Sequence, residues 1–330
     1  MMFRLCVSVV GALGFEGPVG VLGPVGVIGG TGKLGRRVVQ ELAGRGVRVR
    51  VLQRHDVGQG TAASIADDAS TAAVTAYLAA LPGVELVRGD VTRLSDVEAL
   101  LQGCTACISA HGARRNSRFQ DLFIDPTGES SHSKQVNYVG VQNIIDAARS
   151  TGCERVVRVT GKGEQPWSVF SILINLLGSM AKAWNYEGEM LLRNSGLDYT
   201  LVRPGVMGRS KEDAPSSLAL CDDGGDLKVS SITHGAVARL CVDCLDFPNA
   251  AKATLTAMTT EARQGAESWR PLLANVAADR REFPPSMLDQ HQKAVKVGAA
   301  VALGAASSFA LLVFFALRQI SAVVLRLTAN

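Results

Sequence analysis

The sequence predicts an α/β protein with a doubly wound parallel sheet, followed by a single C-terminal transmembrane helix. Three observations predict it. Short apolar runs rich in Val, Ile and Leu alternate with helical patterns from residue 24 to residue 257, the order expected when helices cover both faces of a parallel sheet. The first of these runs passes directly into a glycine-rich turn and a helix, VGVIGGTGKLG at residues 25–35. Near the other end, VGAAVALGAASSFALLVFFAL, Val297 to Leu317, carries no charge and is bounded by Lys296 and Arg318.

The elements follow in order. Residues 17–28 hold a six-residue echo, GPVGVL then GPVGVI. A strand must be contiguous with the loop it feeds, so the second copy is the strand: Pro24 opens it, and Val25, Val27 and Ile28 are its apolar run. The first copy belongs to a lead-in, residues 1–23, in which Arg4 and LCVSVVGALGF have the outline of a targeting segment interrupted by Glu16. Leu34, Val38, Val39 and Leu42 recur at helical spacing, Gly44 and Gly46 end that helix, and Val47 to Leu52 form a second strand. An Ala, Ser and Thr-rich stretch from Val57 to Pro82 reads as a helix before a third strand, Val84 to Val87. Ser95-Asp-Val-Glu98 has the capping-box pattern and should open the next helix. Strands follow at 106–109, 156–159 and 199–202, with helices over 136–149, 172–194 and 234–245.

Thr260 to Lys293, with Pro284 and Pro285, reads as part of a connector over 258–296. The apolar span 297–317 has about 21 residues, which as a helix cover about 31 Å, the thickness of a bilayer's hydrocarbon core. The expected partner is therefore a lipid bilayer, with a membrane protein complex as a further candidate. Lys293 and Lys296 before the span and Arg318 and Arg326 after it give no orientation. Residues 318–330 form a short tail.

Composition excludes some classes. The formal charge is +4, with Lys and Arg scattered among Asp and Glu. No continuous basic face is visible, so nucleic acid is not an expected partner. Among seven cysteines, Cys104-x-x-Cys107 and Cys241-x-x-Cys244 have zinc-like spacing. The pairs are far apart and fall in a strand approach and a helical apolar pattern, so they read as reduced core thiols, with no metal expected.

Glycines at 29, 32 and 35 sit where strand, turn and helix meet. Gly29 allows the turn, Gly32 lets backbone approach a pyrophosphate, and Gly35 lets the helix pack on the sheet; Thr31, Lys33 and Leu34 complete a helix N-terminus suited to phosphate. The expected ligand is a nicotinamide dinucleotide. Where an NAD site places a carboxylate after the second strand, this chain has Gln53-Arg54, with Asp56 slightly late. Arg54 suits a 2′-phosphate, so NADP is expected ahead of NAD.

GGTGKLG, VRGDV (Val87 to Val91), VNYVGVQNIIDAARSTGCERVVRVTG (Val136 to Gly161) and EMLLRNSGLDYTLVRPG (Glu189 to Gly205) together resemble, in this order, the atypical short-chain dehydrogenase/reductases of the NAD(P)H-binding type, which have a Rossmann-like fold. The resemblance runs from Val25 to Leu255. It implies that Asp90 and Val91 flank the adenine, and that Ala110, His111 and Gly112 lie along the nicotinamide ribose. It also puts Thr160 where the family usually has serine, and Pro204 and Gly205 beside the nicotinamide. Such reductases commonly use Tyr-x-x-x-Lys for proton transfer. Here Tyr186 is followed four residues on by Met190, while Lys182 lies four residues before it. Tyr186, Thr160 and His111 are the catalytic candidates, and Tyr186 reads better as a packing residue. Two functions follow: an NADP-dependent oxidoreductase for a hydrophobic substrate at a membrane, or a tethered cofactor-sensing assembly or regulatory factor. The resemblance adds a plastid as a possible compartment, since several relatives look like photosystem-assembly or translocon-associated proteins.

Overall fold

The computed structural model describes residues 23–54, 63–114, 121, 129–208 and 212–328. The repeat's first copy, Asp56 and Arg209 to Lys211 lie outside them. In chain order the elements are β1 (Val25–Ile28), α1 (Gly35–Gly44), β2 (Val49–Gln53), α2 (Thr71–Ala79), β3 (Val84–Arg88), α3 (Leu94–Leu101) and β4 (Ala106–Ser109). A π-helical turn, Gln135–Val139, leads into α4 (Gly140–Thr151) and β5 (Arg155–Val159), followed by α5 (Val169–Leu177), α6 (Ala181–Arg193), β6 (Asp198–Pro204) and β7 (Val206–Gly208). Then come β8 (Leu218–Cys221), β9 (Ser231–Thr233), α7 (His234–Asp246), β10 (Ala253–Thr259), α8 (Arg270–Leu273) and α9 (Leu288–Thr328).

The main sheet has eight strands in the order β3-β2-β1-β4-β5-β6-β10-β8. All pair in parallel except β8, which runs antiparallel to β10. The strand order reverses between β1 and β4, where an open α/β sheet leaves a crevice at its carboxyl edge. One core joins α1, α2 and α7 to the sheet through Val38, Leu42, Val74, Leu78, Val237 and Leu240. The other joins α3 and α4 to the opposite face through Val97, Leu100, Leu101, Ile144 and Ile145. β1 is buried along its whole length, as a central strand covered on both faces requires. Cys104, Cys107, Cys241 and Cys244 are buried free thiols within these cores.

Several local expectations are corrected. Ser95 does not cap α3: the N-cap is Arg93, without a side-chain bond, and Asp96 instead accepts the Asp90 amide at 2.8 Å. The single helix expected over 172–194 is two, because Ser179 and Met180 take positive φ angles of 52° and 60°. Asn175 Oδ1 then accepts the amides of Lys182 (2.9 Å) and Ala183 (3.1 Å), so the first helix caps the second. β8 and β10 escape a hydrophobicity reading. ATLTAMT is made of small residues and threonines whose hydroxyls are bonded locally, Thr254 to Asp279 (2.6 Å) and Thr256 to the Gly225 carbonyl (2.7 Å).

The stretch 260–293 is fastened to the domain. Trp269 is buried and donates its indole N–H to the Ala236 carbonyl at 2.7 Å. His291, also buried, bridges Asn175 Nδ2 (2.9 Å) and the Gly163 carbonyl (2.8 Å). From Leu288 to Phe315, α9 is long and apolar enough to cross a bilayer, and its apolar stretch is not buried by the domain.

Candidate functional site

The turn after β1 is set by its glycines. Gly29 has φ +82°, and a Cβ there would stand 2.8 Å from the Ala110 and His111 backbone, so this backbone meets the end of β4 only as glycine. The Gly32 amide closes the turn on the Gly29 carbonyl at 2.9 Å. At Gly35 a Cβ would collide with that same carbonyl, which brings the first turn of α1 directly onto the loop. Lys33 is exposed, and Leu34 is buried in the core beneath. Two arginines that a motif reading passes over hold this helix start. Arg36 donates to the Gly32 carbonyl (3.2 Å) and the Ala66 carbonyl (2.5 Å), and Arg37 pairs with Asp67 (2.6 Å).

A cleft of about 610 Å³ opens over the loop at the strand-order reversal. Of the residues expected to hold the cofactor, Gly29, Thr31, Gly32, Arg54, Asp90, Val91, Ala110, His111 and Gly112 line it. Lys33, Leu34 and Gly35 form the helix start beside it. Thr160, Pro204 and Gly205 do not line it. The Thr160 hydroxyl bonds Glu189, while the Gly205 amide is paired with the Ala257 carbonyl at 2.8 Å. Gln53, Thr71, Thr75, Ala113, Arg114 and Ser131 join the lining without having been expected.

The cleft fits a dinucleotide on two counts. The loop presents backbone without side chains at the N-terminus of α1, where the helix dipole and unpaired amides favour a phosphate. At the β2 end, Gln53 is buried and its Oε1 has no partner among the described residues, an acceptor that a ribose hydroxyl or adenine amine can satisfy. Arg54, exposed at the end of β2, supplies a cation beside it. Asp90 is shaped by its own turn: its Oδ1 accepts the Thr92 amide and hydroxyl, both at 2.9 Å. Asn143, buried on α4, donates to the Val91 carbonyl at 2.8 Å and fixes the neighbouring backbone.

At the β4 end, a chain of hydrogen bonds determines what His111 can do. Arg158 Nη1 donates to Ser109 Oγ (2.9 Å), and the Ser109 hydroxyl donates to His111 Nδ1 (3.0 Å). His111 Nε2–H donates to the Val136 carbonyl (3.0 Å). The Val136 carbonyl requires a proton on Nε2, and in the neutral imidazole Nδ1 is then left to accept from Ser109. Burial and the Arg158 charge push its pKa down to about 3, so at neutral pH it is not an acid. Arg158, fully buried in β5, also donates to Asn185 Oδ1 at 3.0 Å, and its own pKa is lowered to about 10 by burial. An arginine inside the apolar run RVVRV was the sequence signal for this device.

Tyr186 is fully buried and donates its hydroxyl to the Pro284 carbonyl at 2.6 Å. Burial and the charges of Glu164 and Glu189 raise its pKa, so it remains protonated. Lys182 does not bond it; its Nζ donates to Ser171 Oγ at 2.7 Å, and burial lowers its pKa to about 8. Near the carboxyl end of β6, Arg203 is buried between Glu189 and Glu164, with Glu164 Oε1 at 2.9 Å and the Glu189 carboxylate bonded as well. Arg281 adds a second pair to Glu164 at 2.6 Å. Thr160, the residue after β5, joins this network through its bond to Glu189.

The described residues contain no cluster of three potential metal ligands. When a nicotinamide dinucleotide is bound, it supplies or accepts a hydride. The chain supplies the binding frame, the cation at Arg54 and a rigid, neutral lining at His111.

Comparison with known proteins agrees with this geometry. Protein TIC 62, chloroplastic, from Arabidopsis thaliana is 26% identical over 268 residues, covering 80% of this chain and 40% of that protein. An uncharacterized chloroplastic protein of the same plant is 28% identical over 219 residues, or 64% of this chain and 68% of its own length. This chain thus spans less than half of the TIC 62 relative. Among solved structures, the oxidoreductase ylbE from Lactococcus lactis superposes with a TM-score of 0.55 at 17% identity, over 76% of this chain and 95% of that one, which establishes a shared fold. Residues 29–248, the glycine turn through α7, match the NAD(P)H-binding family, and with the crevice, the loop and the strand order described above the chain belongs to that family.

Proposed function

We propose that this protein is an NADP(H)-binding oxidoreductase anchored in a membrane by α9, passing hydride between the cofactor and a hydrophobic acceptor. The observation that carries the reading is the cleft itself: a glycine turn and helix N-terminus for the pyrophosphate, with Arg54 at the adenosine end beside Gln53 Oε1, which has no partner among the described residues. A guanidinium there favours the 2′-phosphate of NADP over the bare ribose of NAD. The length and exposure of α9's apolar face support the anchor. The chloroplastic relatives support a plastid membrane as its location.

The side chains limit the acceptor. His111 is neutral with both nitrogens engaged, Thr160 is bonded to Glu189, and the Tyr186 hydroxyl is bonded to Pro284. An acceptor that delocalises the arriving electron pair and takes its proton from water, such as a quinone, suits this frame better than a ketone needing a fixed acid. The same three engagements favour a second reading, in which the protein holds the cofactor as a redox sensor or assembly factor and turns over little.

The test is a fluorescence titration of the full chain in detergent with NADPH and NADH, followed by single-turnover oxidation of bound NADPH by quinones. Tight NADPH binding with quinone-dependent oxidation supports the oxidoreductase. Binding without oxidation by any acceptor supports the sensor. Failure to bind either nucleotide overturns both.

A further inference from the structure

α5 is built inside out. Its sequence, VFSILINLL, carries no charge. The side chains it turns to the domain are its polar ones: Ser171 and Asn175 are both 0% exposed. There they work as interior groups. Ser171 Oγ accepts from Lys182 Nζ, while Asn175 caps α6 and meets His291. The side chains it turns outward are apolar: Val169 is 74% exposed, Phe170 61%, Leu173 47% and Leu177 66%. Spacings of one, four and eight residues from Val169 put these four on one helical face. Trp167, just before the helix, is 55% exposed. A soluble surface helix shows the opposite arrangement, and an uncovered apolar strip of this size signals a partner.

The neighbouring element indicates which partner. α9 crosses α5 where its apolar span begins. A Cβ on Gly298 would come within 2.7 Å of Ile172, so the two helices touch closely there. At that crossing α9 exposes Val297 and Val301, so the outer face of α5 continues into the face of the membrane-crossing helix. Lys293 and Lys296 stand exposed on α9 just before the span. Apolar side chains with an exposed tryptophan, rimmed by lysines, match the boundary between acyl chains and anionic headgroups.

We propose that α5 and Trp167 lie in the interfacial layer of the same bilayer that α9 enters, so that the domain rests on the lipid by a second, fixed contact. This rests on the reading of α9 as an anchor. The contact makes the domain's orientation a property of the fold: the α5 face points to the membrane.

The full chain is reconstituted into phosphatidylcholine/phosphatidylglycerol vesicles, and the emission of the natural protein is compared with that of W167F, which isolates the Trp167 signal from Trp184 and Trp269. In vesicles carrying brominated acyl chains the natural protein should lose an emission component that W167F lacks, and aqueous iodide should fail to quench that component. F170E/L173E, altered only on the exposed face, should still float with vesicles while its Trp167 becomes open to iodide. A protein that floats with the vesicles but whose Trp167 is quenched by iodide and not by bromolipid overturns the α5 contact and leaves the anchor standing. A Trp167 shielded from both quenchers means that a second copy covers the face, which also overturns it. A chain that does not float overturns the anchor and this proposal together.

Discussion

Replacing Arg54 with alanine tests how the cleft chooses its cofactor. Arg54 follows β2 and lines the cleft at the β2 end while remaining exposed to solvent. A hydrogen bond to a charged group contributes about 1.5–3 kcal/mol. Exposure and salt screening put this one near the lower end, so about 1.5 kcal/mol is expected, or roughly tenfold in affinity. NADH has no 2′-phosphate and should bind the variant about as well as the natural protein. The NADPH-to-NADH affinity ratio, from fluorescence titration at fixed ionic strength, should therefore fall roughly tenfold in R54A. R54K should recover only part of it, because an ammonium cannot engage the phosphate in two directions. Equal weakening for both nucleotides would refute the reasoning, since Arg54 would then be serving the shared part of the cofactor. An unchanged ratio would refute it as well.

G35A should abolish binding of both nucleotides, because its Cβ collides with the Gly29 carbonyl, and should cost about 1–3 kcal/mol of stability by forcing α1 off the loop, read as a lowered Tm. Y186F should lose about 0.5–1.5 kcal/mol in urea unfolding, the share of one buried hydrogen bond, and leave any NADPH oxidation rate unchanged; a loss of about 10²–10⁴-fold would restore Tyr186 as a proton donor. His111 has a folded pKa of about 3 against an ordinary value of 6.5. The unfolded chain therefore takes up its proton first as pH falls: the stability is complete above about 6.5 and is lost progressively toward 3. His291, also lowered by burial, acts in the same sense. The urea midpoint of the natural protein should therefore fall more steeply between pH 6.5 and 4 than that of H111Q, and parallel curves would show that His111 is not held neutral.

Local order in the chain made much of the fold legible. Strands β1, β2, β4, β5 and β6 announce themselves by apolar runs, because a strand covered on both faces admits few polar residues. The glycine turn was legible for a stricter reason: at Gly29 and Gly35 the backbone comes within a side chain's width of other backbone, and only glycine permits that. β10 was not legible, since ATLTAMT carries its burial on small residues and on threonines whose hydroxyls find partners in distant segments. Nor was the break in the helix 172–194, where Asn175 caps α6 from one helix earlier.

The site divides in the same way. Sequence by itself determined that a dinucleotide loop exists, that an arginine rather than a carboxylate follows β2, and that residues 297–317 form an apolar span of bilayer length. Only the tertiary structure decided the protonation of His111, which depends on Ser109, Arg158 and Val136 meeting from β4, β5 and the π-helical turn. Only it decided that Tyr186 faces Pro284 and not the cleft, and that α5 turns its polar side inward. Spacing along a chain records which residues share a face. Which face is buried, and which charges gather there, depends on partners brought in from more than a hundred residues away, as His291 is to Asn175.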